Sequence, residues 1–180
     1  MRPPSRFLVI ALVALAASSL AAQPAFLVKD VNTTQPAVPQ PLFTTQGAVA
    51  VGATAFFVID DGVHGSELWK SDGTAPGTTM VRDICPGACA GLPTFLTPVG
   101  GLLYFIADDG THGRELWKSD GTEAGTQLVA DLALGSFSSN PIPLAAVGGK
   151  LLMVVGGAAG SEPWTSDGTA GGTGLLKDIN

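Results

Sequence analysis

The side chains with the clearest chemical potential are six aspartates in glycine-rich segments. They form two matching sets of three, namely Asp60, Asp61 and Asp72, and Asp108, Asp109 and Asp120. Carboxylates in such loops can bind Ca²⁺, which requires several oxygen ligands around one point. Each set, however, is divided between two separate turns. Structural Asp residues that accept hydrogen bonds from their own turns are therefore the preferred interpretation, and calcium, the only cofactor that the sequence suggests, is the alternative.

The two histidines, His64 and His112, are the other candidates for acid–base or metal chemistry. Both lie in Asp-Gly-x-His-Gly segments, so the two residues are equivalent members of a repeat rather than partners. Catalysis requires groups with different roles at one bond, as in the carboxylate pairs of glycosidases. The chain also lacks a P-loop, a nucleophile elbow and a zinc-protease motif. We therefore predict no catalytic residues and no enzymatic activity. A hydrolase with its site at the mouth of a propeller is the least favoured alternative.

The only cysteines are Cys85 and Cys89, separated by Pro86-Gly87-Ala88. A metal site would need further ligands, and none lies nearby in the sequence. An even pair in an exported chain favours a disulfide. Such a small loop would mainly make a turn more rigid.

Internal repetition is the strongest structural signal in the sequence. Residues 57–83 and 105–131 each have 27 positions, of which 18 are identical without a gap. A degraded third copy follows at 160–179, where Pro163 takes the place of a leucine. We predict that the recurring motif is structural. Its residues are Glu67, Leu68, Trp69, Asp72, Gly73 and Thr74, then Glu115, Leu116, Trp117, Asp120, Gly121 and Thr122, and finally Trp164, Asp167, Gly168 and Thr169.

Each copy is predicted to form four short strands joined by tight turns. In the second copy these are 95–99, 102–107, 114–119 and 126–132, with Gly-Gly and Asp-Gly pairs between them. The run 102–107 is apolar without alternation, so both sides of that strand should be covered. We predict an all-β fold of four-stranded antiparallel meanders stacked as a partial β-propeller. An open β-solenoid or array is the alternative.

The start of the chain has the features of a secretory signal. Arg2 and Arg6 precede a short apolar run and a small-residue segment ending near Ala21. We predict a signal peptide at 1–21, a leftover fourth strand (about 26–31) and linker within 22–46, and repeats at 47–93, 94–140 and 141–180. The leftover strand indicates a ring larger than three units. The missing strands would come from further residues or from another chain.

The segment Glu67–Thr74, repeated at Glu115–Thr122, resembles the ELWxxDGT repeat family, whose exported bacterial members are sometimes described as hyalin-like. The resemblance covers nearly all of residues 26–180. It implies a repeated β-architecture and an extracellular or cell-surface location, and it implies no enzymatic activity.

Together these features predict a secreted protein, located outside the cell, at its surface or in the periplasm, with no membrane span once the signal is removed. The net charge of −6 argues against nucleic acid as a partner. We expect a binding or adhesion module for a protein or a glycan, with unit-specific loops at 87–93 and 135–143. A truncated structural fragment of a larger propeller is the second hypothesis.

Overall fold

The computed structural model describes residues 28–29, 47–87, 89–157 and 160–179. The fold is all-β, with three four-stranded antiparallel meanders that we call sheets 1, 2 and 3. Sheet 1 contains β1 (Val49–Val51), β2 (Thr54–Asp60), β3 (Ser66–Ser71) and β4 (Thr79–Arg82). Sheet 2 contains β5 (Thr94–Val99), β6 (Leu102–Asp108), β7 (Arg114–Ser119) and β8 (Gln127–Ala130). Sheet 3 contains β9 (Ile142–Val147), β10 (Lys150–Gly157), β11 (Gly160–Ser166) and β12 (Gly174–Leu175).

The strand order within each sheet follows the chain, as the short glycine-containing turns predict. The first three predicted strands of the second copy agree with β5, β6 and β7 to within one residue. The fourth was predicted too long. β8 spans only Gln127–Ala130, whereas a strand at 126–132 was predicted.

Sheets 1 and 2 pack face to face. Their shared core combines Phe56, Val58 and Leu68 of sheet 1 with Phe105 and Trp117 of sheet 2, and all five are buried. The rings of Phe105 and Trp117 stack with their centroids 6.5 Å apart. This interface covers one side of β6, the side that carries Phe105.

Sheets 2 and 3 form the second interface. Tyr104, Ile106 and Leu116 of sheet 2 pack with Leu151 and Met153 of sheet 3. β6 is therefore covered on both sides, as its unbroken apolar run predicts. No closed barrel forms from the described strands, and the arrangement is compatible with a partial propeller or an open stacked array.

Adjacent residues of the repeated motif serve different interfaces. Leu116 belongs to the core shared with sheet 3, and its neighbour Trp117 to the core shared with sheet 1. This is the two-residue alternation of a strand. Trp69 is buried with Phe57 and Ile59 on the outward side of sheet 1, and Trp164 is partly buried against the core of sheets 2 and 3.

Two predictions fall wholly or mainly outside the described residues. These are the signal peptide at 1–21 and the leftover fourth strand at about 26–31, of which only Val28 and Lys29 are described. Neither of those two residues is in a strand. The described ranges contain no helix that is long and apolar enough to cross a membrane.

Candidate functional site

The acidic turn between the third and fourth strands has one hydrogen-bond pattern in all three sheets. In sheet 1, Asp72 Oδ1 accepts bonds from Thr74 N at 2.9 Å and Thr74 Oγ1 at 2.7 Å. Ser71 Oγ contacts Thr78 Oγ1 at 2.8 Å, and Thr78 Oγ1 donates to Thr74 O at 2.7 Å. The same bonds recur in the turns that begin at Ser119 and Ser166. We call these three segments, 71–78, 119–126 and 166–173, the SDGT turns.

A glycine five residues after each Asp completes the SDGT turn. A Cβ on Gly77 would lie 2.0 Å from Asp72 Oδ1, and Gly125 and Gly172 show the same overlap with their own Asp. Gly77 N donates to Thr74 Oγ1 at 3.0 Å. The repeated motif therefore extends beyond Ser-Asp-Gly-Thr to Ser-Asp-Gly-Thr-x-x-Gly-Thr.

Lysines connect each sheet to the SDGT turn of the next. Lys70 Nζ in sheet 1 donates to Gly121 O in sheet 2 at 2.6 Å, and Lys118 Nζ in sheet 2 donates to Gly168 O in sheet 3 at 2.7 Å. Thr165 occupies this position in sheet 3. We call these bonds the lysine contacts.

A second basic residue crosses the interface from the fourth strand. Arg82 lies over the Trp117 ring, with its Cζ 5.8 Å from the ring centroid. Its Nη1 donates to Thr126 O at 2.6 Å. Lys29 Nζ donates to the equivalent carbonyl, Thr78 O, at 2.9 Å. Lys29 therefore makes the contact to sheet 1 that Arg82 makes to sheet 2.

The buried glutamate of the motif holds the loop that leads to the next sheet. Glu67 Oε1 accepts a bond from Gly91 N at 2.7 Å, and Oε2 accepts one from Ile84 N at 3.1 Å. Glu115 repeats this with Ser139 N at 2.8 Å and Leu132 N at 3.2 Å. Backbone N–H groups, rather than Lys70 or Arg114, bond to the oxygens of both carboxylates. Burial raises the pKa of Glu67 above its ordinary value, although these N–H donors oppose the shift.

The turn between the second and third strands contains the histidines. His64 Nδ1 lies 2.7 Å from Asp61 Oδ2, and Asp61 Oδ1 accepts the His64 N–H at 2.8 Å. His112 and Asp109 repeat the pair at 2.8 Å. The hydrogen bond to Asp61 raises the pKa of His64. Burial opposes ionisation of Asp61, but bonds from the His64 backbone and ring lower its pKa below the ordinary value.

The predicted calcium ligands are all placed in these two kinds of turn. Asp60 and Asp108 each accept the N–H two residues later, at 2.7 and 2.8 Å. The other four, Asp61, Asp72, Asp109 and Asp120, accept bonds within their own turns. In the described part of the chain no three His, Cys, Asp or Glu side chains are grouped to hold a metal ion.

The predicted disulfide is present. Cys85 and Cys89 are bonded, with their Cα atoms 5.3 Å apart. Cys85 is buried, and its Sγ lies 3.1 Å from where a Cβ on Gly110 would be, so the bridge packs against the β6–β7 turn of sheet 2. It closes the loop between sheets 1 and 2, which Glu67 also holds.

The loop between sheets 2 and 3 presents apolar side chains to solvent. We call residues 131–141 the apolar loop, because Leu134 is 80% exposed and Phe137 is 75% exposed. Its ends are fixed, since Leu132 N donates to Glu115 Oε2 at 3.2 Å and Asn140 N donates to Arg114 O at 3.1 Å. In the equivalent loop of sheet 1, Gly91 and Pro93 are buried, as are Ser139 and Pro141 in the apolar loop, and Leu92 is 49% exposed.

Sequence reasoning missed the lysine contacts, the role of the motif glutamate, and the Arg82–Trp117 contact. The first two had a signal, because Lys70 and Glu67 recur in the second copy at Lys118 and Glu115. Arg82 had a weaker signal, because Ala130 stands in its place in the second copy, whereas Lys29 and Lys177 are basic at the equivalent positions.

Comparisons with protein-family models, with curated proteins and with solved structures find no match to this chain.

Proposed function

We propose that this chain is a non-catalytic binding module of an exported protein, acting outside the cell or at its surface, and that the apolar loop contacts a protein ligand. The carrying observation is the exposure of Leu134 and Phe137 on a segment whose ends are fixed to sheet 2. The resemblance of Glu67–Thr74 to the ELWxxDGT repeats and the N-terminal signal features support export.

The fixed ends of the apolar loop lower the entropic cost of binding. Binding costs conformational entropy when a loop becomes ordered on contact, and a loop that is already held avoids part of that cost. Glu115 accepts bonds from both ends of the apolar loop, at Leu132 N and Ser139 N. Leu134 and Phe137 can therefore be buried by a partner at low ordering cost. An exposed Leu and an exposed Phe on one loop favour a protein ligand, because aromatic residues are enriched at protein interfaces.

A non-catalytic role is supported by the use of the polar side chains. Each His bonds to the Asp of its own turn, and each SDGT Asp bonds to its own Thr. The carboxylates of successive sheets repeat the same bonds, so they do not divide into an acid and a base around one point.

Binding arrays test the proposal. The purified chain is applied to extracellular-protein and glycan arrays beside the variant L134S/F137S. The control is Val63→Ser, which removes an exposed apolar side chain from another turn. We expect a protein ligand that the double variant loses and the control retains. Equal binding by all three proteins, a glycan ligand, or no ligand on either array would overturn the proposal.

A further inference from the structure

Two bulky apolar residues at the start of sheet 2 have a backbone conformation that such residues rarely adopt. Leu92 has a φ of 46° and Phe95 has a φ of 56°, both in the left-handed region. Glycine adopts this region freely, and among other residues it is mainly Asn and Asp that tolerate it. Leu92 also precedes Pro93, and a residue before proline is normally extended. We call residues 92–95 the strained segment.

The other repeats have better-suited residues at the equivalent positions. Gly47 stands at the position of Phe95 ahead of sheet 1 and has a φ of 60°. Asn140 stands at the position of Leu92 ahead of sheet 3 and has a φ of 44°. The same backbone conformation therefore forms without a bulky apolar side chain, so the fold itself does not require Leu or Phe at these positions.

The side chains of the strained segment are not core residues. Leu92 is 49% exposed and Phe95 is 39% exposed, whereas the next residue, Leu96, is 8% exposed and belongs to the core of sheets 1 and 2. Packing inside the molecule therefore does not explain why the unfavourable conformation is kept. Residues held in disfavoured backbone regions are typical of binding sites, where the surrounding structure maintains the strain.

Hydrogen bonds from sheets 1 and 2 hold the strained segment in place. Leu92 N donates to Ser66 O in sheet 1 at 3.0 Å. Arg114 Nη2 in sheet 2 donates to Thr94 Oγ1 at 2.6 Å. The segment is therefore ordered before a ligand binds, which lowers the entropic cost of contact as it does for the apolar loop.

Arg114 also connects the strained segment to the apolar loop. The side chain of Arg114 bonds to Thr94, whereas its backbone N donates to Ser138 Oγ at 2.9 Å and its backbone O accepts a bond from Asn140 N at 3.1 Å. Both segments bond to one residue, so they lie next to each other. Neither 92–95 nor 132–141 contains a charged residue, although the chain has a net charge of −6.

We propose that Leu92 and Phe95 are ligand-binding residues, and that they contact an uncharged, apolar patch on the same protein ligand as the apolar loop. This inference rests on the proposed function and deepens it, because it adds two contact residues and states the chemistry of the partner surface. A charged partner surface would lose hydration here without gaining an opposite charge, which is unfavourable. An exposed aromatic ring next to aliphatic side chains matches the composition of protein interfaces.

Selection from a phage-displayed library of random peptides tests the strained segment. We expect the purified chain to enrich uncharged, apolar peptides that bind equally well at low and high salt, because no charged pair forms. A fluorescein-labelled copy of the most enriched peptide then measures the affinity of variants. L92N/F95G carries the residues of the equivalent positions, and it should bind about tenfold more weakly or worse. Its melting temperature should be unchanged or higher, because both new residues suit the left-handed backbone.

Two further variants keep the test decisive. L92N changes only the more exposed side chain and should also weaken peptide binding. V63S is the control, because Val63 is 55% exposed in another turn, and it should bind like the unmodified chain. Unchanged affinity in L92N or L92N/F95G would overturn the proposal. Enrichment of charged peptides, or a lower melting temperature of L92N/F95G, would also overturn it.

The variant L134S/F137S separates this inference from the proposed function. Peptide binding that is lost in L134S/F137S but kept in L92N/F95G would overturn this inference and leave the proposed function standing. Binding that is lost in L92N/F95G but kept in L134S/F137S would instead overturn the assigned role of the apolar loop. A library that yields no enriched peptide would overturn both.

Discussion

Lys70 and Gly121 belong to different sheets, and a hydrogen bond of 2.6 Å joins the ammonium of the first to the carbonyl oxygen of the second. Lys118 and Gly168 repeat the relationship one interface further along, at 2.7 Å. Each lysine follows the motif tryptophan in the sequence, and each glycine follows the motif aspartate. The repeated motif thus supplies both halves of a contact that is completed only when two sheets stack.

Substitution of Lys70 by Met tests the lysine contact. Met keeps much of the aliphatic chain but removes the donor, so Gly121 O loses its partner. We expect a loss of about 1–2 kcal/mol in the free energy of unfolding, measured by urea denaturation. K118M should cost a similar amount, and the two losses should add because they lie in different interfaces. A Glu123→Met control, which removes a charge from an exposed site, should change little, and an equal loss there would refute the assignment.

The SDGT turns predict a contrast between neighbouring glycines. A Cβ at Gly172 would lie 2.1 Å from the Asp167 carboxylate, whereas a Cβ at Gly171 meets nothing within 4 Å. We expect G172A to destabilise the protein by about 1–3 kcal/mol, since the Asp must move out of its bonds with Thr169. G171A should be close to neutral. Thermal melts measure this difference, and equal melting temperatures for the two variants would contradict the turn geometry.

The buried glutamate should be sensitive to small changes. Replacing Glu115 by Gln places an amide NH₂ next to Leu132 N or Ser139 N, which are themselves donors. We expect E115Q to cost about 1–3 kcal/mol, and to increase hydrogen exchange in the apolar loop. Glu123, which is exposed, provides the matched control as E123Q. Unchanged exchange in residues 132–139 would show that Glu115 does not hold the loop.

The histidine turns predict a pH dependence with a definite sign. The bond to Asp61 raises the pKa of His64 in the folded state. The contribution of this bond to the free energy of unfolding is therefore fully present below the pKa of an unfolded histidine, about 6.5, and is lost as the pH rises through the higher pKa of the folded state. The pKa of Asp61 is lowered, so its own contribution is present above the unfolded value and is lost as pH falls through the folded one.

Titration of the histidine ring signals by NMR measures this coupling. In Asp61→Asn the pKa of His64 should fall, because the carboxylate that raised it is gone, while that of His112 should stay the same. An unchanged His64 value would contradict the pairing.

Calcium should leave the protein unchanged. The carboxylates of Asp61 and Asp72 already accept two or three bonds within their turns. We expect neither added Ca²⁺ nor EDTA to shift the melting temperature. A rise with Ca²⁺ that D72N abolishes would instead support the metal interpretation.

Sequence reasoning identified what repetition and strand periodicity encode. The unbroken apolar run of β6 indicated that both its sides are covered, and the structure assigns Phe105 to one interface and Ile106 to the other. The Cys85–Cys89 bridge was identified from the even cysteine count and the expectation of export.

The contacts that sequence reasoning missed join residues that are far apart along the chain. Glu67 satisfies backbone groups up to 24 residues away, and Lys70 reaches a carbonyl 51 residues away. Recurrence of these residues in the second copy indicated that they are structurally important, but it did not identify the atoms that they contact. The predicted unit-specific loop at 135–143 contains Phe137 but not Leu134, and its fixed ends follow from bonds to Glu115 that no local pattern encodes.

A double-mutant cycle between Arg82 and Trp117 tests the stacking of successive sheets most directly. These residues lie in sheets 1 and 2, with Arg82 Cζ 5.8 Å from the Trp117 ring centroid. Unfolding free energies of R82M, W117L and the double variant should give a coupling energy of about 0.5–2 kcal/mol. The control cycle of R82M with W164L should give none. Coupling at Trp117 no larger than at Trp164 would contradict the stacked arrangement.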